Sequence, residues 1–301
     1  MARISFHDEI ARNKRSSLLL VVLVSAILFA LIYVLVFILA PEFILLALPL
    51  SLGLIVIYSY SSYSHGDSVI LSATNARPAE GREYQYLRDT VEGLSIAAGI
   101  PAPKVYVIES EEMNAFATGR DPEHASVAVT TGLIKGTNRL ELEGVVAHEM
   151  SHIRNRDILF MTLVAVLVGL AAIVSHLILR SFRYGGVRRG DRGKRGGGLE
   201  VAVLAAGFIL AVFAPIVVRL VQFAVSRRRE YLADSSAVEI TRYPDGLASA
   251  LEKIMKKNQG KMDVSEAVSH LFFVDPKHSA LDALYATHPP MEERIRRLRA
   301  M

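Results

Sequence analysis

Long uncharged apolar runs constrain the fold of this chain more than any other feature. Of its 301 residues, 51% are hydrophobic and the mean hydropathy is positive, which is too apolar for an ordinary soluble protein of this length. Residues 17–40 carry no charge and are long enough to cross the hydrocarbon core of a bilayer. The run is too long for the apolar part of a signal peptide and lacks a clear small-residue cleavage site. We therefore predict an uncleaved membrane anchor.

Three more apolar runs predict a protein with four membrane-spanning helices. Residues 43–60 follow the first run after a short break at Pro41, and residues 158–179 and 199–218 form a later pair joined by the basic, glycine-rich loop 180–198. The alternative for the later pair is two buried helices of a large soluble core. Their length and their near absence of charge disfavour that alternative.

The sequence HExxH at residues 148–152 predicts a metal-binding helix. His148 and His152 are four residues apart, so on a helix both imidazoles project from one face and reach one metal ion. Glu149 lies beside them, where its carboxylate can accept a proton from a metal-activated water. The alternative is a chance occurrence of the motif, which the apolar opposite face of this helix disfavours. The sequence therefore predicts a zinc site.

Catalytic zinc needs a third protein ligand. Along a continuous helix His176 would lie about 36 Å from His152, and no histidine stands where the metzincin motif HExxHxxGxxH requires one. A carboxylate on another helix remains, and the segment REYLAD supplies two. Glu230 can bind the metal, and Asp234, one turn later, can hold a ligand histidine by its other ring nitrogen. The alternative is an ordinary charged helix in which the basic residues 227–229 form local ion pairs.

The segments before the HExxH helix predict a small sheet. Residues 84–98 have the periodicity of an amphipathic helix, residues 104–108 alternate like a strand, and further strands are predicted at 114–118 and 125–130. Three short strands followed by the HExxH helix predict an α+β, zincin-like metalloprotease domain. We expect residues 114–118 to form an open edge strand, on which an extended peptide can pair through its main chain.

Four motifs resemble, in the same order, those of the HtpX-type membrane zinc metalloproteases, which are relatives of the CaaX prenyl protease. They are MNAFATG at residues 113–119, HEMSH, REYLAD and THPP at residues 287–290, and the resemblance extends over nearly the whole chain. It implies one Zn²⁺ ion as cofactor. The residues to which it assigns roles at the metal are the ligands His148, His152 and Glu230, the general base Glu149, and Asp234 as the support of a ligand.

The resemblance also implies contacts to the substrate. Asn114, Ala115 and Phe116 would belong to the strand that lines the cleft. In the prenyl-protease branch an HPx₄R pattern supplies contacts to the transition state, and His288 and Arg294 have that spacing here. The alternatives are a loop that leads into the last helix for His288, and one member of a solvated basic face for Arg294.

The positions of the ligands and the apolar runs predict how the chain is organised. Because His152 and Glu230 must meet at one metal, the spans at 158–179 and 199–218 leave and return on the catalytic side. The first two spans also form a hairpin, so the N-terminus lies on that side too. Basic residues that flank the spans predict that this side is cytoplasmic, whereas the basic loop 180–198 opposes this unless the second hairpin does not fully cross. The predicted parts are a transmembrane hairpin (1–60), a protease subdomain with the sheet and the HExxH helix (61–157), a second hairpin (158–218) and a helical protease subdomain with the third ligand (219–301).

These features predict a multi-pass endopeptidase of the cell (inner or plasma) membrane. We expect it to hydrolyse peptide bonds of misfolded or damaged membrane proteins in quality control and the stress response. Its partners would be polypeptides and the lipid bilayer, and no nucleic acid. One alternative is a processing protease for a specific peptide or lipidated protein. Another, a metal carrier, would need ionisable residues within the spans, where only His176 and Arg219 qualify. The absence of cysteine excludes a cysteine zinc site and fits a reducing compartment.

Overall fold

The computed structural model describes residues 41–184, 227–276 and 289–301, with scattered positions between residues 15 and 36. The predicted span at 199–218 and most of the loop 180–198 therefore lie outside the described residues, and the span at 17–40 is described only in part. The described chain is a mixed helix and sheet structure, as the sequence predicts. The division into four parts is not tested by these residues and stays a prediction.

The described helices and strands agree closely with the predicted elements of the protease region. The strands predicted at 104–108, 114–118 and 125–130 are found within one residue, and a two-residue strand precedes them. The helices are α1 (Ile44–Ala73), α2 (Gln85–Ala98), α3 (Thr131–Gly136), α4 (Arg139–Arg154), α5 (Asp157–Tyr184), α6 (Arg227–Thr241), α7 (Pro244–Lys257), α8 (Glu266–Ser269) and α9 (Met291–Arg299). The strands are β1 (Arg77–Pro78), β2 (Lys104–Ile108), β3 (Ala115–Gly119) and β4 (Ala125–Thr130).

The sheet has the order β1-β2-β4-β3, and both of its faces are covered. Strands β2 and β4 are parallel, whereas β3 runs antiparallel to β4 at the edge of the sheet. Side chains alternate between the faces, since Ala115 and Ala117 pack into a core that includes α2, α4, α6 and α7, and Phe116 packs into a second core with α1 and α5. Because both faces are buried, the strands contain almost no charged residues.

Helices α1 and α5 pack along each other beneath the second face of the sheet. Tyr58 donates a hydrogen bond from its hydroxyl to the carbonyl of Val166 at 3.0 Å. A Cβ at Gly66 would lie 2.8 Å from Cγ2 of Thr162, so the two helices approach closely here. Thr162 also joins α5 to the edge strand, because its hydroxyl accepts from the Gly119 N–H at 3.1 Å.

Much of α1 is apolar and outward-facing. Leu45 is 88% exposed, Leu50 63% and Ile57 67%. Among the described residues, no helix combines the length and the apolar character that crossing a membrane requires. The four predicted spans are not confirmed.

A capping box sets the start of the HExxH helix α4. Asn138 accepts from the Glu141 N–H at 3.0 Å, and Glu141 accepts from the Asn138 N–H at 2.7 Å, so two amides of the first turn are satisfied. The helix then runs through the core, where it packs against α6 and α7. It ends at Arg154, and Arg156 has a left-handed backbone (φ 58°) that turns the chain into α5.

Candidate metal centre

Three buried side chains from two helices converge on one point. His148 and His152 come from α4 and Glu230 from the first turn of α6, and their potential ligand atoms all lie within 4.8 Å of one another. All three residues are at most 3% exposed. The sequence separates Glu230 from the histidines by more than seventy residues, so only the packing of α6 on α4 brings them together.

The spacing of the donor atoms fits a tetrahedral metal ion. Two ligands bound at about 2.05 Å with a tetrahedral angle are about 3.3 Å apart. The Nε2 atoms of His148 and His152 lie 3.3 Å apart. Oε2 of Glu230 lies 3.6 Å from Nε2 of His148, and Oε1 of Glu230 lies 3.5 Å from Nε2 of His152. The two imidazoles and the carboxylate are thus close enough for one small cation to bind all three side chains.

The first candidate ligand, His148, is held by an aspartate and an arginine. Asp234 lies one turn after Glu230 on α6, and its Oδ1 is 3.0 Å from Nδ1 of His148. If Nδ1 of His148 carries the ring proton and donates it to Asp234, the lone pair of Nε2 faces the metal position. Arg294 from α9 donates to both oxygens of Asp234, from Nε at 2.9 Å and from Nη2 at 2.7 Å. Burial alone would raise the pKa of Asp234, but the charge of Arg294 and the hydrogen bond to His148 outweigh it and hold that pKa at about 2.

The second candidate ligand, His152, has a corresponding carboxylate. Asp157, the first residue of α5, places Oδ2 3.1 Å from Nδ1 of His152. Burial lowers the pKa of His152, but the hydrogen bond to Asp157 and the charge of Glu230 outweigh this and raise it to about 9. These interactions favour the protonated form of the metal-free ring, and a cation bound there would take the place of the proton on Nε2.

Glu149 is buried next to the three candidate ligands. It is 2% exposed, and its charge acts on both His152 and Arg294, where it helps to raise each pKa. A carboxylate in this position can exchange a proton with a molecule bound at the metal.

The predictions for Arg294 and His288 have different outcomes. Arg294 is 1% exposed, so the alternative of a solvated basic face is wrong. Its guanidinium lies behind His148, bonded to Asp234, and over the ring of Phe273 at 4.7 Å. His288 lies outside the described residues, and its predicted contact to the transition state stays a prediction.

The edge strand β3 is not open, contrary to the expectation from the sequence. Ala115 and Phe116 are fully buried, and the carbonyl of Ala115 already accepts from the N–H of Phe273 at 2.8 Å. The side chain of Asn114 binds Val274, the residue after Phe273, through two hydrogen bonds. Its amide nitrogen donates to the carbonyl of Val274 at 2.8 Å, and its Oδ1 accepts from the Val274 N–H at 3.1 Å. Residues 271–274 therefore lie where an added strand would pair. No feature of the sequence pointed to this segment.

Comparison with known proteins gives consistent matches over the whole chain. The profile of peptidase family M48 matches residues 82–301. A protein named Protease HtpX homolog from Caldanaerobacter subterraneus subsp. tengcongensis is 44% identical, with 100% of this chain and 99% of that protein covered. The Protease HtpX homolog of Dictyoglomus thermophilum is 42% identical (100% and 96% covered), and that of Streptococcus uberis is 38% identical (98% and 99% covered).

A solved structure shares the fold. The crystal structure of Ste24p from S. mikatae superposes with a TM-score of 0.51 at 21% sequence identity. The aligned region covers 96% of this chain and 66% of the Ste24p chain, so this chain spans about two thirds of that protein's length. At this identity the likeness concerns the fold alone.

Proposed function

We propose that this chain, which belongs to peptidase family M48 and is a protease of that family, is a zinc-dependent endopeptidase with its metal held by His148, His152 and Glu230. The observation that carries the proposal is the convergence of three buried side chains, whose potential ligand atoms lie within 4.8 Å of one another and whose two Nε2 atoms are 3.3 Å apart. A protein rarely buries a carboxylate beside two imidazoles unless a cation or a proton compensates the charge.

The donor set favours zinc among the common metals. Two histidine nitrogens and one glutamate oxygen are a known set for catalytic zinc, which leaves the fourth position to water or substrate. Magnesium and calcium prefer oxygen ligands throughout. When bound, zinc would polarise the scissile carbonyl and lower the pKa of water towards 7.

Glu149 is the proposed general base. Its carboxylate accepts the proton of the water that attacks the scissile carbonyl, and then passes this proton to the nitrogen of the leaving amine. The hydrogen bonds behind the rings, which Nδ1 of His148 donates to Asp234 and Nδ1 of His152 donates to Asp157, would keep each Nε2 directed at the metal position. Arg294 supports this arrangement through Asp234, and contact of His288 or Arg294 with the transition state remains part of the proposal inferred from the resemblance.

The proposed substrate is an extended polypeptide that pairs with β3 at residues 114–116. Main-chain pairing would hold many sequences without reading their side chains, which suits a broad-specificity protease. Because Phe273 already occupies the carbonyl of Ala115, such a substrate has to displace residues 271–274. The edge of β3 is thus occupied, and binding of such a substrate requires this segment to move.

We further propose that the enzyme is anchored in the cell membrane with its protease region towards the cytoplasm, and that it degrades misfolded or damaged membrane proteins in quality control and the stress response. The uncharged runs of the sequence and the outward apolar side chains of α1 support the anchor. Basic residues next to the runs, such as Arg154 and Arg156, support the orientation.

The test is degradation of unfolded casein by the detergent-purified full chain, first stripped of metal and then given zinc. The matched variant is Glu149→Gln, which keeps the volume of the side chain and removes the base. We expect zinc-dependent cleavage by the wild type, and stoichiometric zinc without cleavage in the variant. A fully active Glu149→Gln enzyme would refute the mechanism.

The same assay separates the two kinds of protease. If the wild type binds one zinc per chain and leaves casein intact, broad-specificity degradation is contradicted and a processing enzyme for a specific peptide or lipidated protein is favoured. If the wild type does not bind zinc, the metal site itself is wrong.

A further inference from the structure

A second carboxylate–histidine pair stands at the proposed metal site, outside the family-like motifs. The Oδ2 atom of Asp157 is 3.1 Å from Nδ1 of His152, on the side of the ring away from Nε2, which faces Glu230 at 3.5 Å. Asp157 is 1% exposed. Its carboxylate therefore contacts the ligand from behind and does not bind at the point where the donor atoms converge.

The chain reaches this geometry only by breaking the helix. Asp157 follows His152 by five residues, and on a continuous helix that separation corresponds to a rotation of about 140°, which would place the two side chains on different faces. Here α4 ends at Arg154, and the left-handed backbone of Arg156 (φ 58°) redirects the chain, so that α5 begins with Asp157 beside the ring. The pair is thus a product of the turn between the helices.

The negative charge of Asp157 is partly balanced by an arginine of α6, the helix that supplies the third proposed ligand. Nη1 of Arg229 lies 3.8 Å from Oδ1 of Asp157, and the Arg229 guanidinium stacks over the ring of Phe160 at 4.6 Å. Arg229 directly precedes Glu230 in α6. An arginine also stands behind the first candidate ligand, where Arg294 donates two hydrogen bonds to Asp234, whereas Arg229 forms a longer ion pair with Asp157. The ion pair connects α4, α5 and α6 at one buried cluster.

We propose that Asp157, with Arg229 behind it, is a positioning residue for the metal, which fixes His152 with its proton on Nδ1 and its Nε2 lone pair directed at the ion. This inference rests on the proposed zinc site. Since Asp157 is the first residue of α5, the affinity of the site for metal depends on where the long apolar helix begins. Carboxylates that hold a ligand histidine typically contribute 10- to 100-fold to metal affinity.

The experiment measures zinc affinity of the full-length protein in detergent by competition with a chelator. Asp157→Ala removes the acceptor, and we expect its dissociation constant for zinc to rise about 10- to 100-fold. Asp157→Asn keeps an oxygen that can accept from Nδ1–H, so we expect a smaller loss of a few-fold. The control is Asp121→Ala, which removes a carboxylate 2.7 Å from Nδ1 of His124 at an exposed turn and should leave zinc affinity unchanged.

Two further readouts separate positioning from general stability. The visible absorption of the cobalt-loaded protein reports the geometry of the ligands, and it should change in Asp157→Ala. A loss of stability alone, measured as thermal unfolding of the metal-free protein, would leave this spectrum unchanged. Wild-type zinc affinity and an unchanged cobalt spectrum in Asp157→Ala would overturn the proposal. If that variant does not fold, Asp157→Asn decides, because affinity equal to that of the wild type would overturn it too. If the wild type does not bind zinc, the proposed zinc site itself is refuted, and with it the positioning role of Asp157.

Discussion

Arg294 offers the sharpest test of how the buried charges hold the site together. It is 1% exposed, and its guanidinium donates to both oxygens of Asp234 at 2.9 and 2.7 Å. The substitution Arg294→Met keeps most of the apolar stem and removes the charge. Asp234, 3% exposed, would then remain ionised in the core without its main counter-charge.

The size of the effect follows from the pKa of Asp234. This pKa is held at about 2, compared with an ordinary value of 3.8, and the difference corresponds to roughly 2–3 kcal/mol. Removal of one partner of a buried ion pair typically costs about 3–5 kcal/mol. We therefore expect Arg294→Met to lower the free energy of unfolding of the metal-free protein by about 3 kcal/mol.

Denaturant unfolding in detergent measures this difference. Because the chain contains no tryptophan, the transition is monitored by far-UV circular dichroism. The control is Arg296→Met on the same helix, where the side chain is 77% exposed and the change should stay within about 0.5 kcal/mol. In a double-mutant cycle, Asp234→Asn should cost much less in the Arg294→Met background than in the wild type. If Arg294→Met were as stable as the control, the assigned counter-charge role would be refuted.

Three further predictions address the ligand, the packing of the HExxH helix and the response to acid. Glu230→Ala should lose most of its zinc, measured as metal per chain after dialysis, and unchanged zinc content would exclude Glu230 as a ligand. Gly144→Ala should destabilise the protein by about 1–3 kcal/mol, because the new Cβ would lie 2.7 Å from the backbone nitrogen of Leu247. Gly93→Ala, where the new Cβ would have nothing within 4 Å, should stabilise the protein by about 0.5–1 kcal/mol. Equal unfolding midpoints of the two variants would contradict this prediction. Because the pKa of Asp234 lies below its ordinary value, its stabilising contribution is complete above about pH 4 and is lost as the pH falls through about 2. The difference in unfolding free energy between the metal-free wild type and Asp234→Asn should therefore shrink over that range, and a constant difference would contradict the assignment.

Local features of the site follow directly from the sequence. The i, i+4 spacing places His148 and His152 on one face of any helix, and the Asn138–Glu141 capping box starts that helix at a defined residue. The strands follow from alternation of side chains over five or six residues. The family resemblance is carried by such short motifs. These elements depend on neighbours within a few positions, so the sequence alone determines them.

Other features depend on contacts between distant segments, which only the tertiary structure decides. Glu230 reaches the histidines through the packing of α6 on α4, and Arg294, which its basic neighbours suggested to be solvated, is buried because α9 places it against Asp234. Asp157 meets His152 only through the turn between two helices. The edge of β3 is closed by Phe273, more than 150 residues away along the chain. Periodicity and spacing determine which face of its own element a side chain occupies, whereas its charge partner and its exposure are determined by the free energy of packing that element against the rest of the chain.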